Sequence, residues 1–174
     1  MHLPTVLLRK LEPEDAPNLY RYRNDPDVTR CLGGFSSGYS LQGIKEWIER
    51  RGDNSGDLVW AIADPESNTC LGHAGLYQVD HRVRSSEFGI LIGDSSRWGK
   101  GIGREVTSAI LIYGFDELNM NRMDLSVLAS NARAIRLYQS LGFVEEGVKR
   151  EAQYRAGQYL DVVLMSILRS ERKQ

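Results

Sequence analysis

The sequence predicts an α/β fold: a mixed, mostly antiparallel sheet flanked by helices, with a parallel strand pair at its centre. Short apolar runs bounded by turn residues, such as Leu58 to Ala63, Cys70 to Val79 and Met123 to Leu128, have the length and composition of strands. Between some of them stand segments whose apolar residues recur at helical spacing, notably around Val106, Ala109, Ile110 and Tyr113. A helix that links two successive strands makes them parallel neighbours, whereas strands joined by short turns pair antiparallel. With 174 residues, 41% hydrophobic and 26% charged, residues 1–174 are expected to form one domain around one sizeable core.

Val6-Leu7-Leu8 reads as a first strand. Glu14 to Arg23 follows as a helix, with Pro13 near its start and Asn24-Asp25-Pro26 ending it. Val28 to Ser40 is expected to be irregular, loosened by Gly33-Gly34 and Gly38. Leu41, Ile44, Trp47 and Ile48 mark a second amphipathic helix that finishes near Gly52, and Asp53 to Asp57 is a polar loop. The strands at 58–63 and 70–79 are joined by Asp64-Pro65-Glu66-Ser67-Asn68, a hairpin turn. Glu87 to Ile92 is a buried strand. The helix near 106–115 is apolar nearly all round, through Leu111, Ile112 and Phe115. A later helix starts at Ser130-Asn131, both able to cap it, places Ala134, Leu137, Tyr138 and Leu141 on one face, and stops at Gly142. Phe143 to Tyr154 and Tyr159 to Leu168 form a last strand pair around Ala156-Gly157.

Composition narrows the function classes. A formal net charge of −1 gives no general attraction to nucleic acid or to an acidic membrane surface. Cys31 and Cys70 make no disulfide framework, and no Cys/His cluster has metal-ligand spacing, so no metal is expected. The first residues lack a basic n-region and a long apolar run, and no stretch reaches the length of a membrane span, so a cytoplasmic location is expected.

The chemistry-bearing stretch is Arg97-Trp98-Gly99-Lys100-Gly101-Ile102-Gly103-Arg104, set between the strand at 87–92 and the following helix. Glycines at alternate positions remove Cβ atoms that would hold a ligand away from the backbone. The helix start leaves N–H groups unpaired, with the positive end of its dipole facing the turn. Such a turn suits phosphate oxygens, and Lys100 and Arg104 add charge beside it; the alternative is a plain strand-to-helix connection. It is no Walker loop, because Gly93 and Gly99 stand too far apart and Gly101, not Ser or Thr, follows Lys100. Nor does G-x-G-x-G past mid-chain match the dinucleotide fingerprint.

Together with Asn131-Ala132-Arg133-Ala134-Ile135-Arg136-Leu137-Tyr138-Gln139-Ser140-Leu141-Gly142-Phe143, the segment Trp98-Gly99-Lys100-Gly101-Ile102-Gly103 closely resembles the acetyl-coenzyme A signatures of the GNAT superfamily of N-acetyltransferases. The resemblance covers essentially the whole chain. Val6 to Leu32, with Asn24-Asp25-Pro26-Asp27-Val28-Thr29-Arg30, is similar to the branch holding ribosomal-protein N-terminal, spermidine and amino-sugar acetyltransferases. It implies a parallel strand pair splayed at an acetyl-CoA cleft. It further implies that backbone N–H groups from Trp98 through Arg104 (Trp98, Gly99, Lys100, Gly101, Ile102, Gly103, Arg104) bind pyrophosphate and that Ile90, Leu91 and Ile92 pair with the pantetheine arm. The family often has Gln or Arg where this chain has Trp98. By the same resemblance Asn131 hydrogen-bonds pantetheine and Tyr138 is the general acid. Asn131 reads equally as a helix cap, and Tyr138 as core; Arg133 and Arg136 read as a solvated face.

No Ser-His-Asp or Cys-His set suggests a covalent intermediate, so direct attack of an amine on the thioester is expected. A thiol of pKa about 8.5 already leaves moderately well, whereas a lysine-like amine costs about 4.6 kcal/mol to neutralise at pH 7. The base problem is therefore the larger one. Glu87 is the candidate base, its alternative being a structural strand carboxylate; His73 is the second candidate, with a structural alternative of its own. A backbone N–H near Leu91 is expected to polarise the carbonyl. Acceptor recognition is expected from Asp25 to Tyr39 and from the final hairpin through Arg150, Glu151, Tyr154, Tyr159 and Asp161. The expected partners are acetyl-CoA and a primary amine, of a polyamine, amino sugar or similar small molecule, in a monomer or homodimer. The alternatives are an N-terminal acetyltransferase acting on a ribosomal or other protein, and a non-catalytic coenzyme A-binding sensor.

Overall fold

A seven-stranded sheet in the order β1-β2-β3-β4-β5-β7-β6 carries the molecule. The computed structural model describes residues 1–33, 38–52 and 56–172. Gly34 and Asp53, from the two expected loops, lie outside the described residues. The strands are β1 (Leu7–Lys10), β2 (Leu58–Ala63), β3 (Cys70–Asp80), β4 (Ser85–Ile92), β5 (Arg122–Leu128), β6 (Val144–Arg155) and β7 (Gln158–Leu168). The helices are α1 (Ala16–Arg23), α2 (Pro26–Thr29), α3 (Leu41–Gly52), α4 (Ile102–Ile112) and α5 (Ala132–Ser140). The expected mixed sheet is therefore present, antiparallel throughout except where β4 and β5 pair in parallel. None of the described helices is long and apolar enough to cross a membrane.

The sheet is covered on both faces, which is what its apolar runs require. On one face Ala16, Leu19 and Tyr22 of α1 and Ile44 and Ile48 of α3 pack with Val28, Ala61, Cys70 and Leu91. On the other, Ile102, Val106 and Ile110 of α4 and Tyr138 of α5 pack with Ala74, Leu76, Phe88, Leu125 and Val127. Alternation along β4 divides its residues accordingly, Phe88 to the α4 face and Leu91 to the α1 face.

Two local expectations need correction. The segment after Asn24 is not wholly irregular: α2 forms because Asp25 accepts from the Asp27 N–H at 2.8 Å while Pro26 occupies the first turn, where it has no N–H to lose. And α4, though apolar nearly all round, is not buried all round, since Ile112 is 51% exposed. Beyond it the chain widens into a π-turn, Tyr113–Glu117, that still buries Phe115 completely.

Candidate active site

The parallel pairing of β4 with β5 stops after three residue pairs, Ser85 with Arg122, Ser86 with Met123 and Glu87 with Asp124. Beyond that point the strands part, and Phe88 to Ile92 on one side and Leu125 to Leu128 on the other line a cleft of about 790 Å³. The β4 edge that faces the gap has no strand partner past Glu87, so its N–H and C=O groups are free to pair with an extended ligand. The cleft is within the size range of small-ligand sites.

One half of the cleft is built by the turn and α5. Gly99 and Gly101 have φ of 81° and 86°, a left-handed conformation that L side chains rarely adopt. Nothing stands within 4 Å of where a Gly101 side chain would start, and its residue is the N-cap of α4, so the N–H groups of that helix open onto free space. Gly103 has a different reason. A Cβ there would meet Leu137 Cδ2 at 3.3 Å, so its small size serves the approach of α4 to α5, while its backbone lines the cleft. Trp98 lines the cleft while its indole N–H caps the Ile92 carbonyl at 2.8 Å, tying the turn to the end of β4. Arg97 is committed to Asp64 at 2.5 Å, and Arg104 donates to Ser140 Oγ at 2.7 Å. Lys100 is exposed and is not among the residues lining the cleft. Arg133, read from sequence as a solvated face, lines it, with Nη2 3.8 Å from the Gly99 Cβ position; Arg136 is exposed elsewhere.

Asn131 unites both of its readings. Its Oδ1 caps α5 by accepting from the Ala134 N–H at 3.2 Å, its Nδ2 reaches the Cys31 carbonyl at 3.4 Å, and the residue lines the cleft. Tyr138 projects from α5 with its ring edge-on to Phe88 at 6.3 Å and tilted to Phe143 at 5.6 Å. Burial pushes its hydroxyl up to about 12, so at neutral pH it is a protonated phenol, able to donate.

The other half is built by α1, the chain after α2, and β3. Glu87 reaches this side, where it accepts from Gln78 Nε2 at 3.2 Å. Its carboxyl is raised above the ordinary range, first by burial and then by Asp124, its partner across the parallel pair, with Lys149 opposing. A raised carboxyl is better matched to taking a proton near neutral pH. His73 is 5% exposed and its pKa is lowered to about 3, by burial and then by Arg23 and Arg51. Arg23 Nη2 lies 2.9 Å from His73 Nε2. A guanidinium only donates, so Nε2 is the acceptor, and the neutral ring carries its proton on Nδ1 for the Tyr77 hydroxyl 3.2 Å away. That occupancy and that pKa set His73 aside as a base. Tyr77 in turn lies over Gly89, where a Cβ would stand 3.0 Å from its ring. Cys31 lines the cleft, exposed; Cys70 is buried, and its thiol is pushed up to about 12 by burial, so it is no nucleophile at neutral pH.

Arg23, Arg30 and Tyr77 were not singled out by sequence reasoning. Tyr77 sits four positions from His73 in a strand and so on the same face, a signal that was available. Arg23 at the end of a short helix looks like any solvated cation. The final hairpin stands apart from the cleft: Arg150, Glu151 and Asp161 line a separate depression, and Tyr154 and Tyr159 stack on each other at 4.9 Å. It bears on the cleft from outside: Arg155 donates to the Thr29 carbonyl and, at 3.0 Å, to that of Leu32, Gln153 lies against Gly33, and the Lys149 charge acts on Glu87.

A splayed parallel pair with a free strand edge, next to a backbone cradle for phosphate, fits an extended ligand that carries a phosphate group. The Acetyltransferase (GNAT) domain family matches residues 5–144, and the chain belongs to that family. It is similar to an uncharacterized N-acetyltransferase, p20, of Bacillus licheniformis, 30% identical over 98% of this chain and 97% of that protein. It is also similar to spermidine N(1)-acetyltransferase of Vibrio cholerae, 30% identical over 95% of this chain and 94% of that protein. The solved structure of the Vibrio cholerae spermidine N-acetyltransferase in complex with CoA and spermine superposes with a TM-score of 0.85, at 28% identity, covering 96% of this chain and 97% of that one. The protein is thus an N-acetyltransferase with acetyl-CoA as its acetyl donor.

Proposed function

We propose that residues 1–174 act as one domain that transfers the acetyl group directly to the primary amine of a small molecule, with Glu87 as base and Tyr138 as acid. Acetyl-CoA supplies the activated acyl group. Glu87, directly or through water, takes the proton that the ammonium must lose before its lone pair can attack. The carbon–nitrogen bond forms as the carbon–sulfur bond breaks, the Tyr138 hydroxyl gives its proton to the departing sulfur, and the second proton that the nitrogen sheds on becoming an amide returns through water to the Tyr138 oxygen. A β4 backbone N–H near Leu91, on the free edge, polarises the carbonyl. Ile90, Leu91 and Ile92 pair with the pantetheine arm, Asn131 bonds it, and the backbone from Trp98 to Arg104 holds the pyrophosphate, helped by Arg133.

The observation that carries this reading is that Glu87 and Tyr138, from opposite faces of the sheet, line one cleft at the point where β4 and β5 separate. A raised carboxylate and a protonated phenol on two sides of a free strand edge supply a proton acceptor for the ammonium and a proton donor for the departing thiolate. A small-molecule acceptor is supported by the Vibrio cholerae relative, named for spermidine and solved with spermine. The test is a panel of primary amines and an N-terminal peptide, read by release of free thiol from acetyl-CoA and by the mass of the product. Turnover of the peptide with none across the small amines would refute the acceptor class.

A further inference from the structure

The acceptor half of the cleft holds a cation that no carboxylate among the described residues neutralises. Arg23 donates to His73 Nε2 at 2.9 Å and to the Tyr39 hydroxyl at 3.3 Å, and both acceptors are uncharged. Its guanidinium lies over the rings of Tyr39 and Trp47, at 5.1 and 5.3 Å from their centroids. Its Nε is buried without a hydrogen-bond partner, and among the described residues no carboxylate forms an ion pair with it. Arg51, which also flanks Trp47 and Tyr77, is answered by Asp57; Arg23 is not. Arg30 lines the same wall, and its Asp27 partner stands at 3.6 Å with both side chains largely in solvent, a pair easily exchanged. At the other end of this half is Glu87, beside Asp124.

The acceptor half is therefore polar end to end: the Glu87 carboxyl where the amine must react, guanidiniums away from it. Glu87 is opposite Tyr77, and Tyr77 is four residues along β3 from His73, which holds Arg23; that is about 13 Å of strand. A polyamine would place a second ammonium against the guanidiniums. We infer that the acceptor carries a carboxylate or phosphate ester as well as its primary amine, and that Arg23 and Arg30 recognise that anionic group. This rests on the small-molecule reading above and departs from the polycation found with the Vibrio cholerae relative.

Matched amine pairs test it: ethanolamine against phosphoethanolamine, glucosamine against glucosamine 6-phosphate, and butylamine against 4-aminobutyrate, with spermidine alongside. The phosphate and carboxylate pairs distinguish the two anions. In at least one pair the anionic amine should have a kcat/KM at least about tenfold above its neutral partner and above spermidine, as expected for a charge-assisted contact. Arg30→Ala, at an exposed position, should cut that preference several-fold through KM. Arg23→Gln should abolish it, with circular dichroism verifying the fold. Turnover that favours spermidine or the neutral partners overturns the inference and leaves the acetyltransferase reading intact. If no amine in the panel is turned over, melting of the coenzyme A-saturated protein decides: a larger upward shift with the anionic member of a pair supports the inference, and an equal or smaller one overturns it. Coenzyme A that produces no shift at all would refute the coenzyme assignment, and this inference with it.

Discussion

Between residues 85 and 104 the chain runs through β4, the glycine turn and the start of α4, and in doing so lays down most of the coenzyme half of the cleft. Its working groups are main-chain N–H and C=O. In the acceptor half, by contrast, Arg23 comes from α1, Arg30 from beyond α2, His73 and Tyr77 from β3 and Glu87 from β4, and the working groups are side chains. A backbone site reads a feature common to every donor, phosphate and amide. A side-chain site can be changed residue by residue without disturbing the fold. The difference teaches why a family can keep its donor and vary its acceptor.

The sharpest way to break the comparison is at Gly101. Gly101→Glu puts an L residue at a φ of 86° and a carboxylate against the phosphate cradle. Acetyl-CoA should raise the melting temperature of the native protein, and this variant should lose about 10³-fold in coenzyme affinity, or roughly 4 kcal/mol. A folded variant that binds coenzyme normally would show that the turn is only a connector.

Tyr138→Phe should leave coenzyme affinity nearly unchanged and lower kcat by about 10²-fold, the lower end for general acid catalysis because the thiolate is a good leaving group. Single-turnover rates are the measurement. An unaltered chemical step would leave Tyr138 as a packing residue against Phe88 and Phe143.

His73 gives the acceptor half a stability signature that the coenzyme half lacks. The unfolded chain binds a proton on this imidazole near pH 6.5, whereas the folded chain does not until about pH 3. Lowering the pH across that interval therefore favours the unfolded state. Between pH 7 and pH 5 the loss should be about 2 kcal/mol, and His73→Gln should flatten that part of the urea-unfolding profile. The same slope in the variant would assign the effect to other groups.

The last effect concerns Glu87 and fades as the pH rises. Glu87→Gln should lower kcat/KM by at least about 10²-fold near pH 6 and progressively less as the pH approaches the amine's own pKa, where the substrate arrives neutral. A loss independent of pH would make Glu87 a binding residue, and the acceptor half would then hold no proton-transfer group of its own.

What could be read from the sequence divides along the same line as the cleft. Strand and helix periods placed every strand and all the longer helices, because alternation and helical spacing are local. The turn at 97–104 was legible as a glycine-rich strand-to-helix connection and Asn131 as a helix cap because both depend on neighbours a few residues away, whereas the roles proposed for Asn131 and Tyr138 came from the family resemblance. Gly103 was read too simply: its small size serves contact with Leu137, which lies in another helix. The short helix α2 was missed because its signal is one capping Asp and one Pro, easily taken as the end of α1. Arg133 was assigned to solvent because nothing in α5 reveals that Gly99 passes beside it.

The sequence by itself determined the layers of the fold, the strand–turn–helix unit and the identity of the groups on it, since hydrogen-bonding pattern, glycine conformation and apolar period act over short stretches of chain. Only the tertiary structure decided where β4 and β5 part, that Glu87 and Tyr138 line one cleft from opposite faces, that Arg23 rather than a solvent-facing charge closes on His73, and that Arg150, Glu151 and Asp161 of the final hairpin line a depression of their own. Those outcomes depend on which side chains from distant segments share a low-dielectric space. Burial and charge pairing are properties of that space and not of any stretch of sequence.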